Sequence, residues 1–149
     1  MKTFNTLLLI LLAGFFMASC QEKKPKVIIS TDVGGSDPDD YQSLVHLFVY
    51  ADRVNIKGLI SSPPHQGRKK HIDEAINAYQ KDYEKLLMHN DDFPTPEYLY
   101  SITKQGATEA QAGTEPQDLS DGAKHIITCA KESQNEPLYS FETFFTKTF

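Results

Sequence analysis

The stretch "STDVGGSDPDD", residues 30–40, lies between the apolar runs "KVII" (26–29) and "YQSLVHLFVY" (41–50). Asp32, Asp37, Asp39 and Asp40 crowd around the pair Gly34-Gly35. Two carboxylates 4 Å apart repel by about 4 kcal/mol at an effective dielectric near 20. Such a loop is either a hydrated turn, with Asp39 or Asp40 favoured by a helix dipole at about 0.3–1 kcal/mol, or a seat for a cation. Glycines let a backbone fold tightly enough for separated aspartates to converge. Hard cations, calcium or magnesium, take oxygen ligands of this kind. The EF-hand spacing is absent, and no His/Cys cluster of the zinc type occurs.

Working outward, "KVIIST" (26–31) is short, apolar and β-branched, the pattern of a buried strand. Residues 40–51 read as a helix apolar around much of its surface, with Tyr41, Leu44, Val45, Leu47 and Phe48, and so buried on more than one side. "VNIKGLIS" (54–61) is a second strand, and "SPPHQG" (62–67) ends it. In the next segment Ile72, Ala75, Ile76, Tyr79, Tyr83, Leu86 and Leu87 recur at helical spacing. The tyrosines are expected in the core. "TPEYLYSITKQ" (95–105) reads as one short helix with Pro at its start. Ser120 or Asp121 caps a helix whose Ala123, Ile126, Ile127 and Ala130 share a face. "EPLY" (136–139) opens a third strand. Strand, helix, strand, helix, strand is the grammar of an α/β fold: a Rossmann-like parallel sheet with flanking helices. Ligands of such sheets bind outside the carboxyl ends of the strands. Both "DVGGSDPDD" and "SSPPHQG" fall there.

The 149 residues suffice for one small domain, and the net charge of −5 with no basic stripe argues against a nucleic-acid partner. The first twenty residues read as a leader. Lys2 supplies the positive start, residues 7–16 an apolar core too short to span a bilayer, and "MASC" ends at Cys20. This resembles a bacterial lipoprotein signal, which implies an exported, membrane-anchored chain lipidated at Cys20. "QEKKP" (21–25) is then a polar tether. Cys129, left without a disulfide partner, is expected as a buried structural thiol.

The run "VIISTDVGGSDPDDYQSLVHL" resembles the amino-terminal signature of nucleoside hydrolases. It is most similar to the nucleoside hydrolase-like branch described as cellulose-binding, which has this wider loop and "GLISSPP" after the next strand. The resemblance covers residues 26–139. It implies that Asp32 contacts calcium and acts as general base, that Asp40 holds calcium, and that Asp39 contacts a sugar hydroxyl. Asp37 has no counterpart and is expected to be solvated. The implied reaction is hydrolysis of an N-glycosidic bond, which builds positive charge on the sugar as water attacks. The alternative is a non-catalytic lipoprotein binding a cellulose-like carbohydrate. Ser30 stands where many nucleoside hydrolases carry the first Asp, and "SSPPHQGR" replaces the usual Gly-Asn. His65 or Gln66 could stand in for that Asn, although a loop-surface His is expected to be solvated, and Ser61 and Ser62 read equally as polar groups of the site or as strand-end caps. The family implies a domain at least twice as long, whose later strands complete the site, so the activity of this chain is expected to be impaired. Residues 140–149, with Phe141, Phe144, Phe145 and Phe149, are therefore expected to be an aberrant tail of a truncated chain.

Overall fold

A computed structural model describes residues 23–34, 38–62, 68–108 and 119–143. Four strands form one parallel sheet: β1 (Lys26–Thr31), β2 (Asn55–Ser61), β3 (Thr103–Gln105) and β4 (Leu138–Thr143), in the order β3-β2-β1-β4. Four helices connect them: α1 (Asp39–Val49), α2 (Lys69–Leu87), α3 (Pro96–Ile102) and α4 (Asp121–Glu132). This is the α/β architecture expected from the alternation of strands and helices.

The unbroken β-branched runs of β1 and β2 fit strands covered on both faces. On one face Val27, Ile29, Ile56 and Leu59 pack against Leu44 and Phe48 of α1, Ile72, Ile76 and Tyr79 of α2, and Leu99 and Ile102 of α3. On the other face Ile28 and Ile60 pack against Cys129 of α4. The chain steps from β1 to β2 to β3 in one direction, then crosses back to β4 on the far side of β1. A right-handed crossover in the reverse direction places its helix on the opposite face, which is where α4 lies.

Several expectations need correction. α1 is buried along one face only, through Asp40, Leu44 and Phe48, while Val45 and Val49 are exposed. Its apolar residues outnumber the neighbours available to cover them among the described residues. The segment 95–105 is not one helix. Thr95 caps α3 by accepting from the Tyr98 N–H at 3.2 Å, and at Thr103 the backbone turns extended and enters β3 beside Leu59. On α4, capped by Ser120 at 3.2 Å, the buried positions are Gly122 and Cys129, and Ile127 and Ala130 face outward. Residues Ser140 to Thr143, expected to belong to a tail, continue β4 in register with β1, and Phe141 is exposed.

Tyr79 is core as expected: its ring meets Phe48 at a centroid distance of 5.3 Å and its hydroxyl donates to Pro94 O at 2.7 Å. Cys129 is a buried free thiol, also as expected. Among the described residues no helix is long and apolar enough to cross a membrane. The leader with Cys20, and Asp37, His65, Gln66, Phe144, Phe145 and Phe149, lie outside the described residues.

Candidate functional site

The strand order reverses at β1, whose neighbours are β2 on one side and β4 on the other. In an open parallel sheet that reversal leaves a crevice at the carboxyl ends. The acidic stretch leaves β1 at this point, so the sheet topology carries Asp32, the residue after β1, to the rim of the crevice.

Thr31 closes β1. Its Oγ1 accepts the Val33 N–H at 3.2 Å and its carbonyl accepts the Ser62 N–H at 2.9 Å, tying together the loops that leave β1 and β2. Asp32 is half-buried between two fully buried residues, Thr31 and Val33. Gly34 then turns with φ +99°, a conformation that residues with a Cβ rarely adopt. At the start of α1, the Asp39 carboxylate accepts the Asp40 N–H at 2.9 Å. Asp40 is 9 % exposed. Both carboxylates occupy the first turn, where the helix dipole favours negative charge by about 0.3–1 kcal/mol. Thr31 and Asp40 also border an apolar-walled cleft of 310 Å³ between α1 and the β1–β4 pair, with Ile29, Leu44, Leu47 and Phe141.

The start of α2 reaches the same loop at Gly34. The Gln105 side chain accepts the Lys69 N–H at 2.8 Å and donates to Ser61 O at 3.1 Å, joining the ends of β2 and β3 to that helix. His71 Nδ1 accepts the Arg68 N–H at 3.1 Å. The His71 ring lies so close to Gly34 that a Cβ there would overlap it. The ring thus spans from α2 to the acidic loop. Of the two readings of Ser61, the strand-end cap is the one its side chain does not make among the described residues. Its hydroxyl is completely buried and is the buried side-chain polar atom among the described residues that has no hydrogen-bond partner. Alternation along β2 puts Ser61 on the face of Leu59, the face covered by α1 and α2.

Asp32 follows β1, and Asp39 and Asp40 open α1, the next element along the chain. In kind, these carboxylates and the nearby hydroxyls are the donors that calcium takes. In number, the described residues do not gather three His, Cys, Asp or Glu side chains around one point. The orphan Ser61 hydroxyl marks a place where the fold has left an oxygen without a protein partner. His71 and Gln105 were not identified in the sequence. Histidine at the third position of a helix, a reach-back capping position, is the local signal for His71. Gln105 gives no local signal, because its partners Lys69 and Ser61 are distant in the chain.

Residues 26–141 match the family described as "Cellulose-binding Sde182, nucleoside hydrolase-like domain". The chain belongs to this family. A solved structure from Saccharophagus degradans is similar to this nucleoside hydrolase-like domain, with a TM-score of 0.72 and 32 % identity. That protein is described as nucleoside hydrolase-related, hypothetical and associated with carbohydrate metabolism. The match covers 79 % of this chain and 30 % of that one, so the chain spans less than a third of its neighbour's length. No curated protein is similar enough to this chain to count as a relative.

Proposed function

We infer that the carboxyl-end rim is one wall of a sugar-binding cleft and that the chemistry it serves is hydrolysis of an N-glycosidic bond. The observation that supports this reading is the strand order, which reverses at β1, the strand that Asp32 follows and whose next helix Asp40 opens. In this reading Asp32 and Asp40 hold a calcium ion. Such an ion, when bound, supplies a water of lowered pKa and a fixed anchor for sugar hydroxyls. Asp32 takes the proton of the attacking water, and Asp39 accepts a hydrogen bond from a sugar hydroxyl. Held in this way, water and sugar meet in line without the entropic cost of a chance encounter.

Calorimetric titration of calcium into the full chain tests the cation. Saturable binding that Asp32→Ala weakens at least about tenfold is expected, because one of two charged ligands is lost. Equal heats for both chains would reduce the acidic loop to a hydrated turn. Release of p-nitrophenol from p-nitrophenyl riboside then tests hydrolysis.

The family description favours a second reading of the same cleft, a non-catalytic carbohydrate binder. Binding of cello-oligosaccharides without turnover of any glycoside identifies it. The leader supports an exported lipoprotein held at Cys20. β1 begins at Lys26, so the tether would join the amino edge of the sheet and leave the cleft on the edge facing away from the bilayer. Metabolic labelling with palmitate, abolished by Cys20→Ala, tests the anchor.

A further inference from the structure

His71 packs against the glycine of the acidic loop, and its hydrogen-bonding state is fixed by the fold. A backbone N–H can only donate. The Arg68 N–H points at Nδ1 of His71 at 3.1 Å, so Nδ1 carries the lone pair and a neutral ring carries its hydrogen on Nε2. The ring cannot swing toward helix α2 without giving up this cap. The ring also rests on Gly34, its Nδ1 and Cε1 nearest, and it fits only because that residue has no Cβ. The half-buried side chain keeps access to solvent. No acceptor from the described residues engages Nε2. The ring is thus a hydrogen-bond donor held between the first turn of α2 and the loop that carries Asp32. The fully buried Ser61 hydroxyl, also without a protein partner, lies at the same end of the sheet and on the same face.

We propose that His71 is a sugar-binding residue of the cleft, donating its Nε2 hydrogen to a sugar hydroxyl beside the loop that carries Asp32 and Gly34. The pairing is chemically complementary. A hydroxyl both donates and accepts, so one that meets a carboxylate and His71 gives its hydrogen to the carboxylate and receives one from the imidazole. A site built this way rejects an analogue that lacks the hydroxyl, because the ring donor is then left unpaired.

The proposal rests on the reading of the cleft as a sugar site, and one experiment separates the two. D-ribose is titrated into the full chain with calcium present, by calorimetry and by nitrogen NMR of the histidine side chains. The expected result is saturable binding, a shift of the His71 Nε2 resonance as ribose binds, and about tenfold weaker binding in His71→Asn. Asparagine keeps an acceptor for the Arg68 N–H but does not reach as far as Nε2, so the helix cap survives while the outer donor is lost. His71→Gln, which restores a donor near the Nε2 position, returns affinity to within about threefold of the parent. Saturable ribose binding with an unmoved His71 resonance overturns the proposal and leaves the sugar-site reading standing. So does unchanged affinity in His71→Asn. Absence of ribose binding to the parent chain overturns the sugar-site reading, and the proposal falls with it. The resonance of the parent chain decides the matter if a variant fails to fold.

Discussion

Two histidine rings in this molecule lie against glycines, and they differ in what surrounds them. His125 of α4 lies over Gly58 in the middle of β2, where a Cβ would come within 3.2 Å of the ring. The register between β1 and β2 slips here: Val27 pairs with Ile56 and Ile28 with Gly58, so Lys57 is the extra residue of a bulge. The bulge turns two carbonyls away from the ladder, and each is taken up by a side chain. Ile56 O accepts from the Tyr98 hydroxyl at 2.7 Å. Lys57 O is met by His125 Nε2 at 2.7 Å and by Cys129 Sγ at 3.6 Å. Helices from both sides of the sheet thus fill what the bulge leaves open. At Gly34 and His71 the arrangement is the reverse. The backbone is bent into the left-handed region, carboxylates gather, and the Ser61 hydroxyl is buried without a partner. At the bulge every turned-out carbonyl is met, whereas at the strand end the Ser61 hydroxyl is the group left without a partner among the described residues.

The largest effect that tests this contrast is expected from Gly34→Ala. The left-handed backbone costs a residue with a Cβ about 1–2 kcal/mol, and displacement of the His71 ring adds to it, for a total loss of about 2–4 kcal/mol. Urea unfolding measures it. Adding His71→Ala removes the steric part, so the double variant is expected to be less destabilised than the sum of the two single changes. Simple additivity would show that ring and glycine do not meet. Next in size is His125→Ala, which leaves the Lys57 carbonyl to a weak thiol donor at a cost of about 1–3 kcal/mol. Calcium and ribose affinity are expected to stay unchanged, and a parallel fall in either would erase the distinction between the two rings.

The parts of the fold legible in the sequence were those that depend on neighbours along the chain. The apolar run of β1, the aspartates after it and the spacing of Ile72, Ile76 and Tyr79 each announce their element locally. β3 was not legible, because three residues follow α3 directly and are too few to show a period. Thr103 both ends the helix and starts the strand. The exposed Val45 and Val49 misled for another reason: apolar character says that a residue can be buried, not that a neighbour exists to bury it. At the site, the aspartates were readable because four of them share one loop. His71 and Gln105 act across the gap between elements, and such contacts follow only from topology.

Smaller effects sharpen the same contrast. Ser61→Ala removes a buried hydroxyl that has no partner, and is expected to stabilise the chain by about 0.5–1 kcal/mol. Thr31→Val removes the acceptor of the Val33 N–H and is expected to cost about 1 kcal/mol. The pair of unfolding midpoints should therefore move in opposite directions. A loss of stability in Ser61→Ala would mean that its hydroxyl belongs to the fold rather than to a ligand.

The smallest expected effect lies at the bulge and appears only at alkaline pH. Burial pushes the Cys129 thiol up from its ordinary value, and Glu132 pushes it the same way against the opposing pull of Lys57. In the unfolded chain the thiol releases its proton near its usual value of about 8.5. Between that value and the raised one the unfolded state binds fewer protons than the folded state, so stability falls as pH rises, by at most about 1.4 kcal/mol per pH unit. Below about pH 7 the thiol is protonated in both states and the slope vanishes. Tyr41 is pushed up to about 12 by burial and its bond to Glu74, so it stays protonated in the folded chain across this window. Unfolding measured between pH 7 and 9.5 should show a decline that Cys129→Ser reduces, since serine keeps a donor toward Lys57 O and does not titrate. An identical slope in the serine variant would assign the decline to other groups and remove the thiol from the network that closes the bulge.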